Sequence, residues 1–230
     1  MSSGVSVAAT AMIARSWGAK QIRQAELVSW ISLVLSVSLA AILSIPVLII
    51  PTQIAGLFGL DAETTRLSAE FIFWLGLFNV FAAINMMLGT ALRATGDVIT
   101  PLWFLIFSSA LNMVFAYMLA FGTGPLPQMG VAGVSLGGSF GAALITIAFV
   151  MFWWHGAFNL KPAKWAPIDW SITRQFISIG GPAVLEQGIV QLAFLAFFAI
   201  IANYGTEAYA AYGIGITLVA FSIVIGFGFG

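Results

Sequence analysis

Apolar residues run along this chain in long blocks separated by short polar stretches. The pattern predicts full membrane spans at about 25–50, 68–91, 101–121, 131–154 and 176–203. A further stretch, 207–230, is apolar to its last residue, and residues 4–16 read as the tail of another span. A helix crosses hydrocarbon with roughly 20 apolar residues and satisfies its own backbone groups, which lipid cannot do. The expected fold class is therefore all-α, a polytopic membrane helix bundle. Both ends read as cuts through membrane helices, so the expectation is a piece of a longer protein.

Composition strengthens that picture. Of 230 residues, 61% are hydrophobic and 7% charged, whereas a soluble domain carries charge on roughly a quarter. Zero net charge and the lack of a basic block leave no electrostatic case for nucleic acid. Cysteine is absent, which excludes disulfides and thiolate metal sites. The first residues lack the basic region of a signal peptide.

Charge adds orientation. Arg15, Lys20, Arg23, Arg93, Lys161, Lys164 and Arg174 all fall in loops on one side of the predicted spans, and of the 8 basic residues only Arg66 falls on the other, near Asp61, Glu63 and Glu70. Cytoplasmic loops carry the excess of Lys and Arg, so the basic side is expected inside an inner (plasma) membrane. The longest polar connector, 159–175, holds Pro162 and Pro167 and separates two membrane halves. Trp153, Trp154, Trp165 and Trp170 around it suit the headgroup region.

Few residues carry candidate chemistry. Gly130, Gly133, Gly137 and Gly141 form one stripe for close helix approach, with a substrate-lining surface as the other reading. Ser29, Ser32 and Ser36 share a face, as do Ser108 and Asn112, while Asn79 and Asn85 punctuate the second span. Such residues join helices or line a wet cavity. His155 lies at a span end without metal partners and receives no role. No nucleophile–base pairing or phosphate-cradling loop appears, so no catalytic residue, metal or enzyme activity is expected. In “TALRATGDVITP”, Arg93 and Asp97 sit one turn apart, and Thr100 is the candidate N-cap of the next helix, followed by Pro101.

Glu186 is the sharpest feature. It lies in an apolar run with no basic residue after Arg174, and a charge at mid-depth costs at least about 3 kcal/mol. Pro182 precedes it by one turn, and Gln187 and Gln191 widen the polar sector. Two roles are open: a cleft-facing coupling or cation-binding carboxylate, and a structural acid near the helix end.

“ALRATGDVITP”, followed by “ALNMVFAYMLAFG” and “GVAGVSLGGSFGAAL”, resembles the multidrug and toxic compound extrusion (MATE) transporters, whose connector reads close to L-R-G-x-G-D-T-x-x-P. Leu92, Arg93, Gly96, Asp97 and Pro101 match it, and Ala94 and Val98 depart. “ISIGGPAVLEQ” resembles the opening of the family's seventh helix and “ARSWGAKQ” the end of its second. The likeness therefore runs from late helix 2 to mid helix 8.

The resemblance implies two six-helix lobes around a cleft that opens alternately to each side. Residues 1–158 would be most of the first lobe, 159–175 the cytoplasmic interlobe loop and 176–230 the start of the second. It implies a secondary active transporter exporting drugs or organic cations by antiport with protons or sodium. Glu186, Gln187, Gln191 and Asn112 are then the candidate substrate and ion ligands, and Arg93, Gly96, Asp97 and Pro101 the structural loop. The expected partners are membrane lipids and a small organic substrate. A bound proton or sodium is the one expected cofactor-like species, and the full-length protein is expected to be a monomer.

One alternative is a lipid-linked precursor flippase of the same broader fold group. That function calls for a cationic cleft, and the full spans hold almost no Arg or Lys. The other is an inactive, truncated membrane protein. The orientation has a direct test in the cysteine-free background. Single cysteines at Ser16, Ala94 and Ala163 should resist an impermeant thiol reagent in intact cells, and one at Thr123 should react. Reversed labelling would overturn it.

Overall fold

The computed structural model describes residues 2–59, 61–123, 127–163 and 170–228. Eight helices follow in order: α1 (Ser2–Gly18), α2 (Ile22–Ile49), α3 (Pro51–Gly56), α4 (Ala62–Ala94), α5 (Ile99–Phe121), α6 (Gly130–Trp154), α7 (Trp170–Ala202) and α8 (Thr206–Gly228). No strand occurs among the described residues. Five helices (α2, α4, α5, α6 and α7) are long and apolar enough to span a membrane. The apolar blocks had marked an all-α bundle, and the helices occupy them.

The helix ends differ from the pattern reading in three places, each for a local reason. Pro51 opens α3 just past the expected span at 25–50, because a proline suits the first turn of a helix. Asp61 caps α4, accepting from the Thr64 N–H at 3.0 Å and the Thr64 hydroxyl at 2.7 Å. Helix α4 therefore carries Glu63, Arg66 and Glu70 in its first turns, with Arg66 paired to Glu70 at 2.6 Å. Helix α7 begins at Trp170, within the expected 159–175 connector. Lys164, Trp165 and Pro167 of that connector lie outside the described residues.

Helix α4 is the hub, touching α1, α2, α3, α5 and α6. Helix α7 packs on α1 and α8 on α7. The main core gathers Ala8, Ala9 and Ile13 of α1 with Val28 and Ile31 of α2, Met87 and Ala91 of α4, and Phe176 of α7. Ser16 is buried at 7% exposure, so Ala19, exposed in the same loop, is the better reporter position there.

The tightest pair is α5 with α6, and glycine makes it so. A Cβ on Gly133 would strike the Leu119 carbonyl and one on Gly137 the Phe115 carbonyl. A Cβ on Gly141 would come within 2.8 Å of the Asn112 backbone nitrogen. The stripe is a packing surface, and its three close glycines let two backbones nearly touch.

Trp153, at the end of α6, is packed inside the protein. It is 2% exposed, stacks near Trp30 with centroids 6.2 Å apart, and donates its indole N–H to the Leu160 carbonyl at 2.9 Å. A buried indole usually finds such a partner for its N–H. Leu160 itself is 1% exposed, and the Lys161 N–H donates to Glu26 Oε1 at 3.3 Å. The start of the connector is thus fastened to α2 and α6.

Gly137→Leu should force α5 and α6 apart, destabilising the bundle by about 1–3 kcal/mol and lowering its unfolding temperature in detergent. Gly188→Ala, where an added Cβ meets nothing within 4 Å, is the control and should leave that temperature unchanged.

Candidate functional site

Three helices surround a cleft of about 380 Å³. Ser6 comes from α1, Ser36 from α2 and Asn79 from α4, with Met86 and Met87 completing the α4 wall. Asn79 is held by its donor end, giving hydrogen bonds to the Ala40 carbonyl at 3.3 Å and to Ser44 Oγ at 3.1 Å. Ser44 in turn donates to the Ala40 carbonyl at 2.8 Å. A polar wall is therefore fixed in place while the methionines remain adaptable.

A second groove, about 510 Å³, lies across α4 from the first and between α4, α5 and α6. Asn112 stands in it above Gly138, where an added Cβ would come within 2.9 Å of Asn112 Nδ2. Asn79 borders both spaces. Asn112 makes no side-chain hydrogen bond among the described residues, unlike its neighbours. Asn85 donates to Thr146 Oγ1 at 3.2 Å, Thr146 to the Phe81 and Ala142 carbonyls at 3.3 and 2.9 Å, and Ser135 to the Phe71 carbonyl at 2.6 Å. These three fasten α4 to α6.

Glu186 belongs to a different surface. Helix α7 meets α1 where a Cβ on Gly4 would lie 2.6 Å from Val184, and where one on Gly180 would lie 3.2 Å from Ala8 Cβ. Glu186 is two residues past Val184, hence about 200° around the helix from that contact. It is exposed, as is Gln191, while Gln187 is half-buried. It also lies about 24 Å along α7 from Trp170, near mid-length. Pro182 sits one turn earlier, inside the helix. Asn112 and Glu186 are not brought together, since α5 and α7 do not touch among the described residues.

The α4–α5 connector has Gly96 and Asp97 in the turn, with Arg93 at the end of α4 and Pro101 in the first turn of α5. Gly96 takes φ +92°, a left-handed conformation that favours glycine. Asp97, not Thr100, provides the cap: its Oδ1 accepts the Thr100 N–H at 3.0 Å. A carboxylate is the stronger acceptor at a helix N-terminus, where the dipole adds to it. Pro101 is buried and Arg93 exposed.

The sequence reading missed Ser6 and the two cleft methionines. Nothing in their spacing separates them from ordinary α1 and α4 residues; only the convergence of three helices does. No group of three or more His, Asp or Glu that could hold a metal occurs among the described residues.

Comparison with known proteins fits this bundle to one family. The MatE family model matches residues 1–118. The chain belongs to the MatE family. Among its relatives, the probable multidrug resistance protein NorM of Thermotoga maritima is 27% identical over 227 residues, covering 97% of this chain and 48% of NorM. The multidrug export protein MepA of Staphylococcus aureus is 26% identical over 223 residues, covering 95% and 48%. A transporter of the MOP superfamily from Pyrococcus furiosus shares the fold with TM-score 0.83 at 20% identity, over 97% of this chain and 49% of that one. The MATE multidrug transporter DinF-BH does so with TM-score 0.83 at 20% identity, over 93% and 48%. The chain thus spans about half the length of the relatives it matches. The matched MatE residues contain the first cleft and Asn112, and stop short of Glu186.

The Asn85–Thr146 bond should behave as a joint. In a double-mutant cycle with Asn85→Ala and Thr146→Val, unfolding in detergent should give a coupling of about 0.6 kcal/mol, the usual size for such bonds in membranes. Asn112→Ala should leave stability nearly unchanged. A larger loss at Asn112 than at Asn85 would reverse the assignment of the two residues.

Proposed function

We propose that this multi-pass chain forms part of a secondary active exporter of drugs or organic cations in an inner (plasma) membrane, driven by antiport with protons or sodium. The cleft between α1, α2 and α4 carries the reading. It falls in the size range of small-molecule sites, and it combines fixed polar groups with methionines that adapt to varied shapes. No Arg or Lys lines it, which favours a neutral or cationic substrate over the pyrophosphate head of a lipid-linked precursor. The names of NorM and MepA, both multidrug proteins, agree with this reading.

Residues 1–158, before the connector at 159–175, act as the first lobe in this scheme, and α7 and α8 begin the second. The basic loops lie in the cytoplasm, and the full-length protein works as a monomer. Asn112, without a hydrogen bond in its groove, offers both donors and an acceptor to a substrate. Glu186 supplies the coupling: its carboxylate alternates between a hydrated state and one holding a proton or sodium. Its place near mid-length of α7, turned away from α1, supports that role over a structural acid at the helix end. Gln187 and Gln191 share the polar sector with it.

In the full-length transporter, Glu186→Gln keeps size and hydrogen bonding but removes charge and titration. Ion-coupled efflux should fall at least about tenfold, while expression and insertion stay near normal. Glu186→Asp should retain part of the activity. Wild-type efflux by the Gln variant at equal membrane abundance, between about pH 6 and 8, would exclude the coupling role.

A further inference from the structure

Connecting segments ordinarily run over a protein's surface, but the one that leaves α6 goes inward. Gly156 turns it at φ +75°. Phe158 then packs edge-on against Phe149 and Phe104, with centroids 5.5 and 6.3 Å away, and so joins the buried cluster of α4 and α6. Two residues later Leu160, 1% exposed, enters the other cluster. That cluster gathers Met12 and Ile13 of α1, Val28 of α2, and Ile172 and Phe176 of α7. The main chain around Leu160 is held from both sides. The Trp153 indole N–H donates to its carbonyl at 2.9 Å, and Glu26 of α2 accepts the Lys161 N–H at 3.3 Å. A short segment thus stitches the two cores of the bundle together.

Helix α7 is gripped at that same end. Among the described residues its buried positions, Ile172, Thr173, Phe176 and Gly180, all fall in its first third. Beyond them it meets α1 through small apolar groups: a Cβ on Gly180 would lie 3.2 Å from Ala8 Cβ, and one on Gly4 2.6 Å from Val184. Within the first six helices, by contrast, Asn79, Ser135 and Thr146 tie neighbouring helices by hydrogen bonds. Parting a hydrogen-bonded joint inside a membrane strands polar groups, whereas a contact of glycine, alanine and valine parts without doing so. The contact between α1 and α7 is built to separate, and Leu160 packs into the cluster at its base.

The geometry points to a latch. Leu160, positioned by Trp153 and Glu26, holds the base of α7 shut against α1, and its withdrawal lets the two helices part. Because α7 carries Glu186, the latch sets where that carboxylate lies. The inference rests on the exporter reading, in which α1 and α7 belong to different lobes, and it adds the residue that controls their contact.

The test uses the full-length protein in liposomes with every other cysteine replaced. Thr173→Cys, at a position 4% exposed in α7, reports opening at the latch, and Ser32→Cys, at a fully buried position in α2, reports loosening elsewhere. N-ethylmaleimide should label both slowly. Leu160→Ala should speed labelling of Thr173→Cys at least about tenfold, because truncating a core leucine destabilises the closed form by that much or more. Labelling of Ser32→Cys should not change. Trp153→Phe, which keeps an aromatic ring and removes the N–H, should speed labelling of Thr173→Cys about two- to tenfold. Circular dichroism establishes folding, and Trp153→Phe decides the matter if Leu160→Ala does not fold. Unchanged labelling of Thr173→Cys, or an equal rise at Ser32→Cys, would sink the latch. In a second arm, Ala8→Cys with Gly180→Cys is oxidised to a disulfide, which should stop efflux until it is reduced. Undiminished efflux by fully cross-linked protein would overturn the opening step. A wild type that exports nothing would sink the exporter reading alone, and the labelling would still decide the latch.

Discussion

Hydrocarbon offers no hydrogen bonds, and every other feature of this bundle answers to that constraint. It makes each span a helix, because only a helix pairs its own backbone within the segment. It then limits what polar side chains can do. Asn79, Ser135 and Thr146 each reach the main-chain carbonyl of a neighbouring helix, at Ala40, Phe71 and Phe81. Such a carbonyl keeps spare acceptor capacity even inside a helix, so one bond satisfies the side chain and ties two helices together. Ser32, fully buried in α2, shows the opposite case, a hydroxyl with no partner among the described residues.

Two kinds of helix contact divide the bundle. The glycines of α6 bring α5 so near that their backbones meet, which leaves little width between those helices. The contacts of α4 run through longer side chains, with Asn79 spanning to α2 and Asn85 to α6. Spaces open on both flanks of helix α4. Asn79 borders two of them because it projects from the hub. Packing chemistry at one pair of helices thus places the cavities at another.

The fold was legible in the sequence because the membrane enforces a simple code of length and hydropathy. All five predicted full spans became helices, and the connector “ALRATGDVITP” formed the expected tight turn. The errors were local and came from competing partners. Asp97, not Thr100, accepts the capping bond of α5. The candidate site was less legible. Asn112 and Glu186 announce themselves as polar groups in apolar runs, yet whether two such groups share a space depends on how helices pack. The sequence carries no short-range trace of that, and Ser6 illustrates it by entering the cleft from a helix whose polar positions look ordinary.

The distinction between polar groups already bonded within the bundle and those left available separates structure from candidate function. Asn85, Ser135 and Thr146 are bonded, so their removal acts first on the joints between helices. Asn112 lies in a groove without a side-chain bond among the described residues, and Glu186 lies exposed on α7. In water such groups would need no explanation, because solvent would satisfy them. In a membrane each must meet water admitted by a cleft, an ion, a substrate or a lipid headgroup, since the alternative is an unpaired polar group in hydrocarbon. Availability at depth is therefore a more discriminating mark of function here than polarity alone. By that measure the asparagines of the second span, Asn79 and Asn85, rank below Asn112: each borders a space, yet each is already spent on a joint between two helices.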